Sequence, residues 1–184
     1  MTLPPGPRII AGTWKGRRLA APEGLETRPT NTRARQAVFD ILAHAPWCDL
    51  RGARVLDVFA GTGAYGLEAL SRGAAEATFF EQSRPALAAL KQNIAACGVA
   101  SRVVEGDVLR APPGEPHNLI FLDPPYGKNL IPQALSTLRA KNWLAPNAII
   151  IAEFGPGDEM ETLELLAERA HGKARLKIWR ENQK

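Results

Sequence analysis

Arg54-Val55-Leu56-Asp57-Val58-Phe59 is a short, mostly apolar run that leads into Ala60-Gly61-Thr62-Gly63-Ala64-Tyr65-Gly66 and then into a helix-forming segment, Leu67 to Arg72. A brief apolar run bounded by glycines reads as a buried strand, and the segment after the glycines reads as a helix. Strand, glycine turn and helix start make the first half of a βαβ unit, which commits the chain to a parallel sheet with crossover helices. Glycines in the turn allow positive φ and let a ligand approach the backbone, while the helix N-terminus supplies N–H donors.

Gly61-x-Gly63-x-x-Gly66 matches the dinucleotide-binding spacing, and Glu81 closes the next apolar run, Ala77-Thr78-Phe79-Phe80, near the offset of a ribose-binding acid. The glycines alone leave a nicotinamide cofactor and other adenosyl cofactors open. Asp57 favours a ligand bearing an amino group and a sulfonium cation over one bearing a pyrophosphate, because a carboxylate attracts the first and repels the second. S-adenosylmethionine is such a ligand.

A second apolar run, Leu119-Ile120-Phe121-Leu122, ends in Asp123-Pro124-Pro125-Tyr126. In an open α/β sheet the C-terminal ends of the strands are where ligands bind. Consecutive prolines fix φ and remove two N–H groups, so a carbonyl of Asp123 or Pro124 is available as an acceptor and Tyr126 offers a flat face. A planar base with an exocyclic amine fits that combination.

Asp57 to Gly63, with Glu81, Asp107 and Asp123 to Tyr126, resembles a class I S-adenosylmethionine-dependent methyltransferase acting on amino nitrogen. Arg8-Ile9-Ile10-Ala11-Gly12, Lys15-Gly16-Arg17-Arg18-Leu19, Pro22-Glu23-Gly24, Arg28-Pro29-Thr30 and Arg33 to Leu42 narrow this: they resemble the RsmD family, bacterial 16S rRNA guanine-N2 methyltransferases. The likeness runs from about Arg8 to Phe154, with Thr32 and Gln36 standing where the family form has an acid and a Glu. It implies cofactor contacts from Asp57, Phe59, Ala60, Gly61, Gly63, Glu81, Gln82, Asp107, Val108, Arg28 and Thr30, and catalytic groups at Asp123, Pro124, Pro125 and Tyr126. It also implies a 16S rRNA partner, within an assembled or assembling small ribosomal subunit. A DNA adenine or cytosine amino-methyltransferase and, from a different class, a nicotinamide-dependent oxidoreductase are the alternatives. The short chain leaves the first little room for target recognition, and the second leaves Asp123 to Tyr126 without work.

Charge placement agrees with a nucleic-acid substrate. Residues 1–35 hold seven Arg or Lys against two Glu, whereas the remainder holds 16 basic and 17 acidic residues. A basic appendage on a near-neutral domain is the footprint of phosphate binding. Gly12 and Gly16 flank Trp14, which suggests a β-hairpin presenting Trp14, Lys15, Arg17 and Arg18, with Arg33 and Arg35 as further RNA contacts. The two cysteines and three histidines match no metal-ligand spacing, so no metal is expected, and the cysteine usage fits a reduced cytoplasm. No stretch approaches a membrane span.

With 184 residues, 45% of them hydrophobic, the chain has material for one good core. The division expected is a basic hairpin extension over 1–30 and a methyltransferase domain over 31–184, acting as a monomer. The fold expected is α/β: a doubly wound, mostly parallel, Rossmann-like seven-stranded sheet with an antiparallel last strand. Strands are read near 53–58, 76–81, 101–106, 117–122 and 147–154 with helices between them, and a first helix from about Thr32 to Ala45. Thr162 to Ala170 and Lys173 to Trp179 alternate as a closing hairpin, with a helix over 158–169 as the alternative.

Overall fold

The computed structural model describes residues 5–22, 29–125, 128–155, 164–171 and 174–182. An N-terminal extension carries β1 (Pro5–Arg8) and β2 (Arg18–Ala20), which pair antiparallel as a separate two-stranded sheet. After α1 (Pro29–His44) come β3 (Arg54–Val58), α2 (Ala64–Ser71), β4 (Glu76–Glu81), α3 (Arg84–Cys97), β5 (Arg102–Glu105), β6 (His117–Leu122), α4 (Leu130–Ala140), β7 (Leu144–Phe154), β8 (Glu164–His171) and β9 (Ala174–Arg180).

Seven strands form the main sheet in the order β5-β4-β3-β6-β7-β9-β8. β3 through β7 run parallel, and β9 pairs antiparallel with both β7 and β8. This is the expected doubly wound sheet with its closing antiparallel hairpin. The order reverses between β3 and β6, so a crevice opens beyond their C-terminal ends, which is where α/β sheets bind ligands.

Alternation along the strands divides the core in two. Val55, Phe79, Leu119, Phe121, Ile149, Ile151, Leu176 and Ile178 pack on one side with Val38, Phe39 and Leu42 of α1 and Leu67 and Leu90 of α2 and α3. Leu56, Val58, Phe80, Ile120, Leu122, Ile150 and Ala152 pack on the other with α4 and Trp143. Ile9 and Leu19 of the extension belong to the first cluster, so the extension shares the core of the sheet.

Several expectations shift. α1 begins at Pro29, before the expected start at Thr32, since proline's fixed φ suits the first helical position. Between β5 and β6 there is only a single 3-10 turn, Val108–Arg110, where a helix was expected. Pro112, Pro113 and Pro116 come after it and cannot donate to a helical ladder. β7 starts at Leu144, with a register shift against β6 between His117 and Leu119. Residues 164–171 form a strand in register with β9, which excludes the helix alternative there.

Candidate active site

Val58 of β3 pairs with Leu122 of β6, so the glycine turn and Asp123 leave the sheet at the same level on either side of the crevice. The turn is built from left-handed residues at Phe59 (φ 63°), Gly61 (φ 56°) and Gly63 (φ 79°). Gly63 donates to the carbonyl of Ala60 at 2.8 Å, and Ala60 donates to that of Phe80 at 2.9 Å, pinning the turn to β4. A Cβ at Gly66 would lie 2.4 Å from Cε1 of Phe79, so only glycine lets α2 start this close to the sheet. Among the described residues no atom lies within 4 Å of a Cβ position at Gly61, which leaves room for a ligand at that point.

Carboxylates surround this opening. Asp57 is 3% exposed and accepts the Gly66 amide at 2.8 Å. Burial pushes its carboxyl up to about 8 against that hydrogen bond, with the charges of Asp123 and Glu81 raising it further and Arg35 opposing them. Glu81 accepts the Gly61 amide through one oxygen at 2.7 Å and the Gln82 and Ser83 amides through the other at 2.8 and 2.7 Å. It thereby ties the turn to the end of β4. Asp107 caps the 3-10 turn by accepting from Leu109 N–H at 2.9 Å, with Val108 buried beside it. The described residues thus bring Asp57, Phe59, Ala60, Gly61, Gly63, Glu81, Gln82, Asp107 and Val108 to one edge of the sheet.

Asp123 is half-buried at the end of β6, with a buried Pro124 and an exposed Pro125 after it. Two further residues escaped sequence reasoning. Leu122 pairs with Ala152, which sets Asp123 and Glu153 in neighbouring positions at the ends of β6 and β7. Burial, and then the charge of Glu153, push the Asp123 carboxyl up to about 7. Tyr65 is the second: its ring stacks on Phe121 at 5.0 Å and on Phe39 at 6.2 Å. Burial, with the charges of Asp123 and Glu153, holds its phenol well above the ordinary tyrosine value. A signal existed for Tyr65, a large aromatic enclosed by the turn glycines; none existed for Glu153, whose neighbourhood depends on sheet order. Tyr126 and Arg28 lie outside the described residues.

The extension is docked. Glu68, fully buried in α2, accepts the Ile10 and Ala11 amides at 2.7 and 3.0 Å and pairs with Arg72 at 2.7 Å. Ser71 donates to the Ala11 carbonyl at 2.6 Å and accepts the Trp14 amide at 3.0 Å, and Gly12 is packed so closely that a Cβ would strike the Ser71 carbonyl. Lys15, Arg17, Arg18 and Arg33 are exposed, as an RNA-facing role requires, and Trp14 is half-buried against the core. Arg17 also donates to the Ala96 carbonyl. Arg35 departs from expectation. It is 3% exposed and donates to the Arg8 carbonyl, and burial lowers its pKa against the charges of Glu68, Tyr65 and Asp57. Its helix position faces the core, so it braces the extension from inside and is not a surface contact. Gln36 bonds Asp40 on its own helix at 2.7 Å.

Among the described residues no group of His, Cys, Asp and Glu is arranged to hold a metal, and no helix is long and apolar enough to cross a membrane.

A family model described as "Conserved hypothetical protein 95" matches residues 7–180. Ribosomal RNA small subunit methyltransferase D of Escherichia coli strain K12 is 41% identical over 149 residues, covering 79% of this chain and 73% of that protein. The protein of the same name from Haemophilus influenzae is 38% identical over 175 residues, covering 90% and 89%. A solved structure titled "Putative methyltransferase yhhF from Escherichia coli" superposes with a TM-score of 0.85 at 36% identity, covering 97% of this chain and 99% of that one.

Proposed function

The chain belongs to the RsmD family of ribosomal RNA small subunit methyltransferases, and from that membership we propose that it transfers a methyl group from S-adenosylmethionine to the exocyclic N2 of a guanine in 16S rRNA. The observation that carries the reading is the Val58–Leu122 register, which sets an open glycine turn and an acceptor carboxylate on the two sides of one crevice. Membership of a methyltransferase family sets aside the oxidoreductase alternative.

The residues present fit the cofactor. Asp57, Glu81 and Asp107 surround the opening at Gly61, a setting suited to a cation with a ribose diol and an amino-bearing base. Asp57 orients the methionine amino group, Glu81 accepts from the ribose hydroxyls and Asp107 from the adenine amine. When bound, S-adenosylmethionine supplies an electrophilic methyl group, and S-adenosylhomocysteine is the product. Phe59, Ala60, Gly63, Gln82 and Val108 line the same pocket, and Arg28 and Thr30 are assigned to the cofactor by the family resemblance alone.

Asp123 and the Pro124 carbonyl accept the N–H bonds of the guanine amine. This draws its lone pair out of the ring and directs it towards the methyl group that S-adenosylmethionine would supply, with the Asp123 carboxylate placed to take the proton that the nitrogen would lose. Holding reacting atoms about 3–3.5 Å apart provides several kcal/mol of the barrier. Pro125 keeps the segment rigid and Tyr126 stacks on the base, a contact worth about 1–3 kcal/mol. Lys15, Arg17, Arg18 and Arg33, with Trp14, meet the RNA backbone. The enzyme works in the cytoplasm as a monomer on the assembled or assembling small subunit, with residues 1–30 as the RNA-facing part and 31–184 as the catalytic part.

The test is transfer of labelled methyl from S-adenosylmethionine to small subunits from a strain lacking this protein, with nucleoside analysis. Label in N2-methylguanosine of 16S rRNA, lost with Asp123→Ala, is the expected result. Label in another nucleoside, or none, overturns the assignment.

A further inference from the structure

Asn93 stands on the buried face of α3 among Ala86, Leu87, Ala89, Leu90 and Ile94, and is itself 3% exposed. A carboxamide in that position costs free energy unless its donors and acceptor are satisfied. Here they are. Its Oδ1 accepts the Ala20 amide at 2.7 Å, and its Nδ2 donates to the Ala20 carbonyl at 3.0 Å and to the Thr62 carbonyl at 2.9 Å. Ala20 ends β2 of the basic extension, and Thr62 lies between Gly61 and Gly63 of the open turn. One side chain therefore joins the strand just beyond Arg17 and Arg18 to the turn assigned to the cofactor. Glu68 and Ser71 fasten the other end of the extension to α2 and make no such link to the turn in their hydrogen bonds.

We propose that Asn93 is a positioning residue for methyl transfer, holding the RNA-facing extension in register with the cofactor turn so that a base gripped by the first meets the methyl group held by the second. The proposal rests on the functional reading of the crevice as a methyl-transfer site. Its physical content is that the two sites share a joint: slack at Asn93 lets both drift, whereas slack at Ser71 releases the extension alone. Misplacement of reacting groups by a fraction of an ångström to one ångström costs rate far out of proportion to the stability lost.

The test compares Asn93→Leu, which is close in size and removes all three hydrogen bonds, with Ser71→Ala, using small subunits as substrate and calorimetry for S-adenosylmethionine binding. For Asn93→Leu we expect kcat/KM on the subunits to fall by about tenfold to a hundredfold, with weaker cofactor binding. For Ser71→Ala we expect a raised KM for the subunits with cofactor binding and kcat unchanged. A folded Asn93→Leu protein that binds cofactor and turns over subunits as the parent does overturns the proposal. So does one in which only thermal stability moves. A measurement on the parent stands independently of how the variants fold. Cofactor binding should slow hydrogen exchange at the Ala20 amide more than at amides of the β8–β9 edge, and equal effects at both places overturn the joint. If the parent labels no small-subunit RNA, the functional reading falls and takes the proposal with it. If the parent labels RNA and Asn93→Leu does so equally well, the proposal alone falls.

Discussion

Asp123 and Glu153 sit next to each other at the C-terminal ends of β6 and β7, one position beyond the paired Leu122 and Ala152. Burial, and then the charge of Glu153, hold the Asp123 carboxyl up to about 7. Only the ionised form accepts from the amine without also donating. Methyl transfer at low RNA concentration should therefore fall as pH drops through about 7. Glu153→Gln removes the charge and should move that acidic limb to lower pH. A limb that stays in place, or rises, in the variant refutes the coupling.

Asp57 links the site to stability. Its folded-state value of about 8 lies above the ordinary 3.8, so between those values the folded protein holds a proton that the unfolded chain has released. The stability this provides is present in full below the unfolded value and is lost as pH rises towards 8. Asp57→Asn should flatten the dependence, raise Tm near pH 8 relative to the parent, and weaken S-adenosylmethionine binding. Melting curves across that range, with cofactor titrations beside them, check both parts.

The turn glycines should separate by mechanism. Gly66→Ala drives a Cβ to 2.4 Å from Phe79, a ring with no exposure at the heart of the core. Overpacking of that kind costs about 1–3 kcal/mol and should appear directly in Tm. Gly61→Ala meets nothing within 4 Å among the described residues, so its structural cost is that of the left-handed conformation, about 1–2 kcal/mol. Its larger effect should be on cofactor affinity, because the methyl enters the opening proposed to hold the ligand. Cofactor affinity unchanged in Gly61→Ala would place the ligand elsewhere.

The arginines of the N-terminal region should divide in the same way. Arg35→Ala should lower Tm and leave the salt dependence of RNA binding as it is, since the guanidinium is buried on the Arg8 carbonyl. Lys15→Ala and Arg18→Ala remove exposed charges. Each should weaken binding to small subunits and reduce the slope against log salt by about one for each phosphate no longer neutralised. Binding titrations at several salt concentrations distinguish the two behaviours.

Much of the local geometry of the candidate site was legible because its parts are close in sequence. The glycine spacing from Gly61 to Gly66 demands a turn open to a ligand whatever surrounds it, and two prolines after Asp123 demand a rigid strand end. Asp107 was legible as an acid after Gly106, and the structure adds that its carboxylate caps the 3-10 turn. Arg35 was misread because positive charge at a single position says nothing about which way the helix faces. The end of the chain held two periodicities at once, and only pairing with β9 chose between them.

The sequence by itself determined the strands from β3 to β6, the turn after Val58 and the rigid strand end at Asp123, since these arise from apolar periodicity and from the steric limits of glycine and proline within a few residues. Tertiary structure decided the rest. Glu153 reaches Asp123 only because β7 lies beside β6, and Asn93 reaches Thr62 across 31 residues only because α3 packs on the sheet under the extension. Those neighbours are products of sheet order and register, which the whole chain sets together through the burial of both faces.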